Sequence, residues 1–300
     1  MNDKFLKLLI ENGIKYELDY PTSKLSSFEL GGKTKTILFP KEMNEFCEIL
    51  CFLRQNDMKF YIVGACTNTF FSDEGFKGAI VSTSLLNKSF CENNTISAMC
   101  GALVTDLSVL AMKNGLSGME FCLGIPGSVG GAIAMNASAF ESTMSNIVLK
   151  SEVVDLRSGK RFIIDNKEHL FEKKSSLIIK NRNFVLLNTQ FILERQEKSS
   201  IYNEMKRIAL KRMYSQPLDK GSCGSAFKRP LCGYASKMID NAGLKGDKIG
   251  NVAISNKHAG FIVNLGCGNT RDVLKLVNKI KKEILDKFGS ILEEEFIFVE

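Results

Sequence analysis

Long apolar runs and histidine are both scarce in this chain. No stretch approaches the roughly 18 apolar residues that a membrane-spanning helix needs, and the charged opening MNDKFLKLLIENGIKYELDY shows no small-residue cleavage site for export. A cytoplasmic protein without a membrane partner is therefore expected. His169 and His258 are the only histidines, which argues against a histidine-built metal centre. Nine cysteines are scattered from Cys47 to Cys267 without a CxxC pair, a pattern that fits reduced, buried thiols better than a disulfide framework or a zinc site. No metal is expected. The phosphate-binding signature GxxxxGK[ST] is absent, and the spacing Gly124-x-x-Gly127-x-x-Gly130 is not the GxGxxG of a dinucleotide-binding turn.

What is present is an ordinary globular composition: 300 residues, 44% hydrophobic and 24% charged, enough for two or three domains. The net charge of +7 is spread along the chain, with only short clusters such as Lys173-Lys174. Nucleic acid is not indicated, and an anionic small molecule suits the same charge.

Helical and extended patterns alternate. KEMNEFCEILCFLRQN places Met43, Phe46, Cys47, Leu50 and Leu53 at helical spacing, and FYIVG and GAIVST read as strands. VTDLSVLAMKNG reads as a helix with Thr105 as its cap and Gly115 as its stop. SEVVDLRSGKRFII gives two strands about a turn at 157–159, and NFVLLNTQFILE a longer one. ERQEKSS at 194–200 reads as a linker, followed by the amphipathic helices IYNEMKRIALKRM and RDVLKLVNKIKKEILDKF. The second carries Val273, Leu276, Val277, Ile280 and Ile284 on one face, with Thr270 as cap and Gly289 as stop.

Six glycines fall between Gly115 and Gly131. Such density survives where a backbone needs positive φ or close approach. Either these glycines make tight turns between strands, or a ligand lies against them. A second loop, YIVGACTNTFFSDEGFKG, pairs a strand with a small-residue turn containing Thr67 and Asn68, then Asp73-Glu-Gly75. Exposed amides in such turns can cradle a pyrophosphate.

Eight segments occur in order: LGGKTK, VGACTNTFFSDEGFKG, CGALVTDL, GLSGMEFCLGIPGSVGGAIAMNASA, GSAFKRP, AGLKG, ISNKHAGFIVN and LEEE. Together they resemble the UDP-N-acetylenolpyruvoylglucosamine reductase (MurB) family of peptidoglycan synthesis, over nearly the whole chain and in its shorter subtype. The resemblance implies an α+β protein: a two-part FAD-binding domain of the vanillyl-alcohol-oxidase (PCMH) type at 1–85 and 86–195, and a C-terminal α+β substrate-binding domain at 196–300. It further implies non-covalent FAD, NADPH as reductant, UDP-N-acetylglucosamine enolpyruvate as substrate, and a monomer.

Hydride delivery to an enolpyruvyl ether leaves electron density on the adjacent carbon and its carboxylate, so a cation or acid and a proton donor are required. By resemblance the donor is Ser225 of GSAFK, with Lys228 as a neighbouring positive charge, and the acid is Glu295, the last glutamate of Leu292-Glu-Glu-Glu295. The family's carboxylate-binding arginine in Tyr-Arg-x-Ser falls on Lys174, with Lys173 at the tyrosine and Ser176 at the serine. Lysine keeps the charge but loses the planar fork. Substrate contacts are expected from Lys228 and from Arg229, which stands where the family often has asparagine.

Cofactor contacts are expected from Gly64, Thr67 and Asn68, from Gly124, Ile125, Pro126, Gly127, Ser128, Gly130 and Gly131, and from Asn136. The family's Gly-Gly-Gly-Ser-Asn turn reads Gly64-Ala65-Cys66-Thr67-Asn68 here, and Asn-Ala-Gly-Ala-Tyr-Gly reads Asn136-Ala137-Ser138-Ala139-Phe140-Glu141. No histidine stands in the N-terminal turn to bond a flavin covalently. Two other readings are a flavin oxidase of the same architecture, which should lack the GSAFK, AGLKG and terminal-glutamate set, and a non-catalytic nucleotide-binding protein, which leaves Ser225 and Glu295 unexplained.

Overall fold

The computed structural model describes residues 3–300; Met1 and Asn2, which open the segment read for an export signal, lie outside the described residues. Contacts divide the chain into two compact units that interleave along the sequence. The first takes the residues through Leu18, then Thr36–Ala65 and Gly78–Leu210; the second takes Asp19–Lys35, Cys66–Lys77 and Lys211–Glu300.

The first unit holds most of the residues of two sheets. One has the strand order Lys15–Pro21, Lys33–Phe39, Phe76–Ser82, Phe60–Val63, and its last two strands run parallel with Phe60 opposite Ala79. The connection between them leaves that sheet through the Gly64–Asn68 turn. The helix Met43–Gln55 buries Phe46, Ile49, Leu50 and Leu53 and is entered through a capping box in which the Glu45 carboxylate accepts from the Glu42 amide. The second sheet is antiparallel, in the order Arg161–Asp165, Val148–Asp155, Phe184–Ile192, Thr95–Met99, Ser89–Glu92. Its inward residues, among them Val154, Leu187, Phe191 and Ile96, join the helix's apolar face in one core.

The second unit has an antiparallel sheet ordered Gly221–Ser225, Phe261–Asn264, Val252–Ile254, Lys248–Ile249. The helix Thr270–Phe288 buries Val273, Leu276, Val277, Ile280 and Ile284, the five residues of its predicted face. Gly289 closes it at φ +62. Ile297–Val299 runs parallel to Thr69–Phe71, and Phe28, Phe296 and Phe298 pack around Phe70 with ring centroids 5.2 to 5.3 Å away.

Three expectations are corrected. The cap of the helix Thr270–Phe288 is Asn269, whose side-chain oxygen accepts from the Asp272 amide at 2.8 Å; Thr270 instead gives its amide and hydroxyl to Asp73, at 2.7 and 2.8 Å. Thr105 does not cap the helix Val104–Lys113, which begins one residue earlier. ERQEKSS is no linker: Glu194–Arg195 pairs with Leu116–Ser117, and a helix starts at Lys198. Among the described residues, no helix is long and apolar enough to cross a membrane.

Candidate active site

In the first unit the glycine-rich stretch is laced to residues 100–105. The amides of Val104, Val129 and Gly130 donate to the carbonyls of Gly127, Ala102 and Cys100, at 3.0, 2.8 and 2.7 Å. Thr105 Oγ donates to the Ile125 carbonyl at 3.0 Å and accepts from the Gly124 amide at 3.2 Å. Its hydroxyl is therefore the staple of the Gly124–Ile125–Pro126 turn, a role that helix-cap reasoning missed. Ser128 is buried and caps the short helix Val129–Ala134, its hydroxyl accepting from the Gly131 amide at 3.3 Å.

Gly115, Gly118 and Gly124 stand at positive φ, and four other glycines of these loops divide into two kinds. A β-carbon on Gly130 would stand 3.2 Å from the Cys100 carbonyl, and one on Gly64 would collide with Ser128, so these two serve the packing of loop on loop. A β-carbon on Gly127 would meet only Ile125 at 3.6 Å, and one on Gly131 only the Ser128 hydroxyl at 3.4 Å. Packing within the chain does not demand glycine at those two positions. Beside this lacing lies a cavity of about 280 Å³, lined by Gly64, Ala65, Ser84, Gly101, Leu103 and Asp106 among others. Ser84 and Asp106 were not anticipated: Ser84 belongs to no quoted segment, and Asp106 lies in CGALVTDL without having been singled out.

Asn136, at φ +41 and buried, turns its amide group to the protein. Its nitrogen donates to the Glu172 carbonyl at 3.1 Å, and its oxygen accepts from the Ser145 amide at 3.0 Å. Ser176 Oγ donates to the Ala134 carbonyl at 2.9 Å. The turn Glu172–Ser175 is thereby fixed to the end of the glycine-rich segment. Lys174 sits in it at φ +58, a conformation that costs a residue with a β-carbon about 1 to 2 kcal/mol.

The second unit brings the motif residues of the C-terminal half together. The segment after Ser225 lies antiparallel to the glutamate triplet: Phe227 bridges Glu294, the Lys228 amide donates to the Glu293 carbonyl at 2.8 Å, and the Glu295 amide to the Ala226 carbonyl at 2.9 Å. Ser225 is exposed at the end of its strand, opposite Phe261. Lys228 Nζ pairs with Glu293 at 3.1 Å, and Glu294 pairs with Lys281 at 3.0 Å, so neighbouring glutamates are drawn to different partners and Glu295 is half-buried. Asn68 donates its side-chain amide to the Glu295 carbonyl at 2.9 Å, while Thr67 is half-buried beside it. The Arg229 guanidinium lies 4.0 Å from the Tyr234 ring centre, with Nε donating to the Gly233 carbonyl at 3.2 Å.

Cys66, in the turn after the strand Phe60–Val63, is buried at φ +47, and burial pushes its thiol up to about 12. Burial likewise pushes Cys100 and Cys223 up to about 12. These thiols stay protonated and are poor nucleophiles.

Known proteins share this architecture. A model of the FAD binding domain family matches residues 34–165. A single-residue variant of berberine bridge enzyme superposes on 65% of this chain and 44% of its own with a TM-score of 0.50 at 13% identity, a likeness of fold. The first part of the chain thus has the fold of PCMH-type FAD-binding proteins. Residues 216–299 match the model of the UDP-N-acetylenolpyruvoylglucosamine reductase C-terminal domain. The UDP-N-acetylenolpyruvoylglucosamine reductase of Caldicellulosiruptor saccharolyticus is 39% identical over 302 residues, covering 99% of this chain and 96% of that protein. The crystal structure of the MurB reductase from Thermus caldophilus covers 96% of this chain and 99% of its own, with a TM-score of 0.81 at 26% identity. The chain belongs to the UDP-N-acetylenolpyruvoylglucosamine reductase family of FAD-dependent oxidoreductases.

Proposed function

We propose that this protein uses NADPH to reduce UDP-N-acetylglucosamine enolpyruvate to UDP-N-acetylmuramate through non-covalently bound FAD, acting as a cytoplasmic monomer in peptidoglycan precursor synthesis, and so in cell-wall growth, shape and division. The three-part division at 1–85, 86–195 and 196–300 belongs to this reading. The observation that supports it is the hydrogen bond from the Glu295 amide to the Ala226 carbonyl at 2.9 Å, which brings Glu295 beside the neighbour of Ser225, 70 positions earlier in the sequence.

The residues present fit the flavin dinucleotide. A β-carbon at Gly127 or Gly131 would meet the chain only at ordinary contact distance, and the adjoining cavity is lined by Gly64, Gly101, Leu103, Ser84 and Asp106 among others. About 280 Å³ accommodates part of such a ligand, since whole cofactor sites run to about 300–1,000 Å³. We assign the cofactor to Gly64, Thr67 and the Gly124–Gly131 backbone, including Ile125, Pro126, Ser128 and Gly130. Asn68 and Asn136 hold the loops in place. When bound, the flavin supplies the hydride equivalent that the enolpyruvyl group accepts.

The chain's own residues do the rest. We assign Lys174 to the substrate carboxylate, where a cation would stabilise the charge that spreads into it; retaining a lysine in the left-handed region is the kind of strain that collects at working sites. The Ser225 hydroxyl donates the proton to carbon. Glu295 is the acid that, with the cation, stabilises the developing enolate. Lys228 and Arg229 offer positive charge to the phosphates, the latter held in place by its stack on Tyr234. The test is NADPH consumption by the FAD-loaded protein with and without UDP-N-acetylglucosamine enolpyruvate, the product being identified by mass. Oxidation that depends on the substrate and yields UDP-N-acetylmuramate supports the proposal. Oxidation that depends on oxygen alone identifies an oxidase instead.

A further inference from the structure

We propose that His258 is a positioning residue for Ser225 and Glu295, acting through Gly260, whose amide the imidazole holds and whose carbonyl accepts from the residue after Ser225; this rests on the roles given to those two residues above. His258 Nδ1 accepts from the Gly260 amide at 3.1 Å. The Gly260 carbonyl accepts from the Ala226 amide at 2.8 Å, and the Ala226 carbonyl from the Glu295 amide at 2.9 Å. Three hydrogen bonds thus run in series from the imidazole to the Glu295 backbone, passing through the residue next to Ser225. The amide and carbonyl of Gly260 belong to successive peptide groups, so the series acts by position: the bond to the imidazole fixes Gly260, and the Gly260 carbonyl then fixes the Ala226 amide.

A second contact leads to the same place. The imidazole meets the ring of Phe261 edge-on, with centroids 5.0 Å apart at 77°, and Phe261 is the residue paired with Ser225 across the sheet. The turn that carries His258 is closed on both sides. Ser255 Oγ accepts from the amides of Lys257 and His258 at 3.1 and 3.3 Å, and the Phe261 amide returns to the His258 carbonyl at 3.0 Å. A β-carbon at Gly260 would stand 3.0 Å from both His258 Cε1 and Ser236 Cβ, so the ring's approach to this peptide depends on glycine.

Acceptance at Nδ1 puts the proton of the neutral ring on Nε2. Burial lowers the ring's proton affinity, and Lys245 adds to that effect, against the opposing pull of the ring's own backbone hydrogen bond and of Asp240. Lys245 and Asp240 are themselves paired at 3.3 Å. The neutral acceptor is therefore the form present near pH 7.

The test compares His258→Leu, His258→Asn and His258→Gln in the FAD-loaded protein. Asparagine closes the same two-residue ring onto the Gly260 amide as an Asx-turn, whereas glutamine is one carbon too long. Leucine and glutamine should slow flavin reoxidation by the enolpyruvyl substrate by about 10-fold or more and leave flavin reduction by NADPH unchanged. They should also speed amide hydrogen exchange at 225–228 and 293–295. Asparagine should restore both. Equal behaviour of the Asn and Gln variants, or a Leu variant with wild-type reoxidation and exchange, would overturn the proposal; if the Leu variant does not fold, the Asn and Gln pair decides. A parallel Ser225→Ala protein that reoxidises at the wild-type rate would remove the role of Ser225 instead, while the exchange comparison still reads the hold of His258 on the strand.

Discussion

The side-chain amide of Asn68 donates to the Glu295 carbonyl at 2.9 Å, and the Ile297 amide returns to the Asn68 carbonyl at 2.8 Å. A loop residue expected to meet the cofactor thus fixes the backbone of the proposed acid. Asn68→Ala should slow substrate reduction about 10- to 100-fold by loosening Glu295, while Asn68→Gln, with its donor displaced by one carbon, should recover little of the loss. Stopped-flow flavin reoxidation reads both variants, and a wild-type rate in Asn68→Ala would remove the link.

Lys174 should show opposite effects on activity and stability. Lys174→Gly removes the proposed cation, so kcat/KM for the enolpyruvyl substrate should fall about 100-fold or more. The same change relieves the cost of φ +58, offset in part by the entropy that glycine adds to the unfolded chain, so stability should hold or rise by up to about 1 kcal/mol. Denaturant unfolding beside steady-state kinetics checks the pair. Normal turnover in the glycine variant would end the catalytic assignment.

Asp73 takes two hydrogen bonds from Thr270, through the amide and the hydroxyl. A carboxylate at the start of the helix Thr270–Phe288 also complements its dipole. Asp73→Ala should cost about 1 to 3 kcal/mol in denaturant unfolding, and Asp73→Asn less. The SDEG motif is accordingly read as an anchor for that helix.

His169 sets an acid limb on stability. It is fully buried, its Nε2 lies 2.9 Å from Ser151 Oγ, its ring stacks on Phe171 at 4.7 Å, and burial lowers its pKa to about 4, against a smaller opposing effect of Glu168. The unfolded chain therefore binds a proton near pH 6.5 that the folded chain refuses until near pH 4. Stability contributed by the neutral ring is complete above that window and falls as pH drops through it, by on the order of 3 kcal/mol in all. His169→Leu should flatten the loss of unfolding free energy between pH 7 and pH 5. An unchanged slope would show that other groups set the limb.

Much of this was legible because it is local. The apolar face of Thr270–Phe288 and the two strands about the 157–159 turn follow from periodicity. What escaped is long-range. Residues 19–35 and 66–77 fold with 211–300, and no local pattern announces that interleaving. Thr105 has the composition of a cap, yet its hydroxyl serves a turn about 20 residues away. Asn269 outranks Thr270 as the cap because Asp73, nearly 200 residues earlier, claims the threonine's amide and hydroxyl. Cys66 at φ +47 reads as a lost glycine, but the backbone keeps the left-handed turn and buries the thiol.

The decisive measurement is the anaerobic oxidative half-reaction: protein loaded with FAD, reduced by NADPH, then mixed with UDP-N-acetylglucosamine enolpyruvate while flavin absorbance is followed, for wild type and Ser225→Ala. Rapid reoxidation with UDP-N-acetylmuramate as product, slowed about 100- to 10,000-fold in the variant, is the predicted result. Reduced flavin that persists in the presence of this substrate, or equal rates in the two proteins, would contradict it.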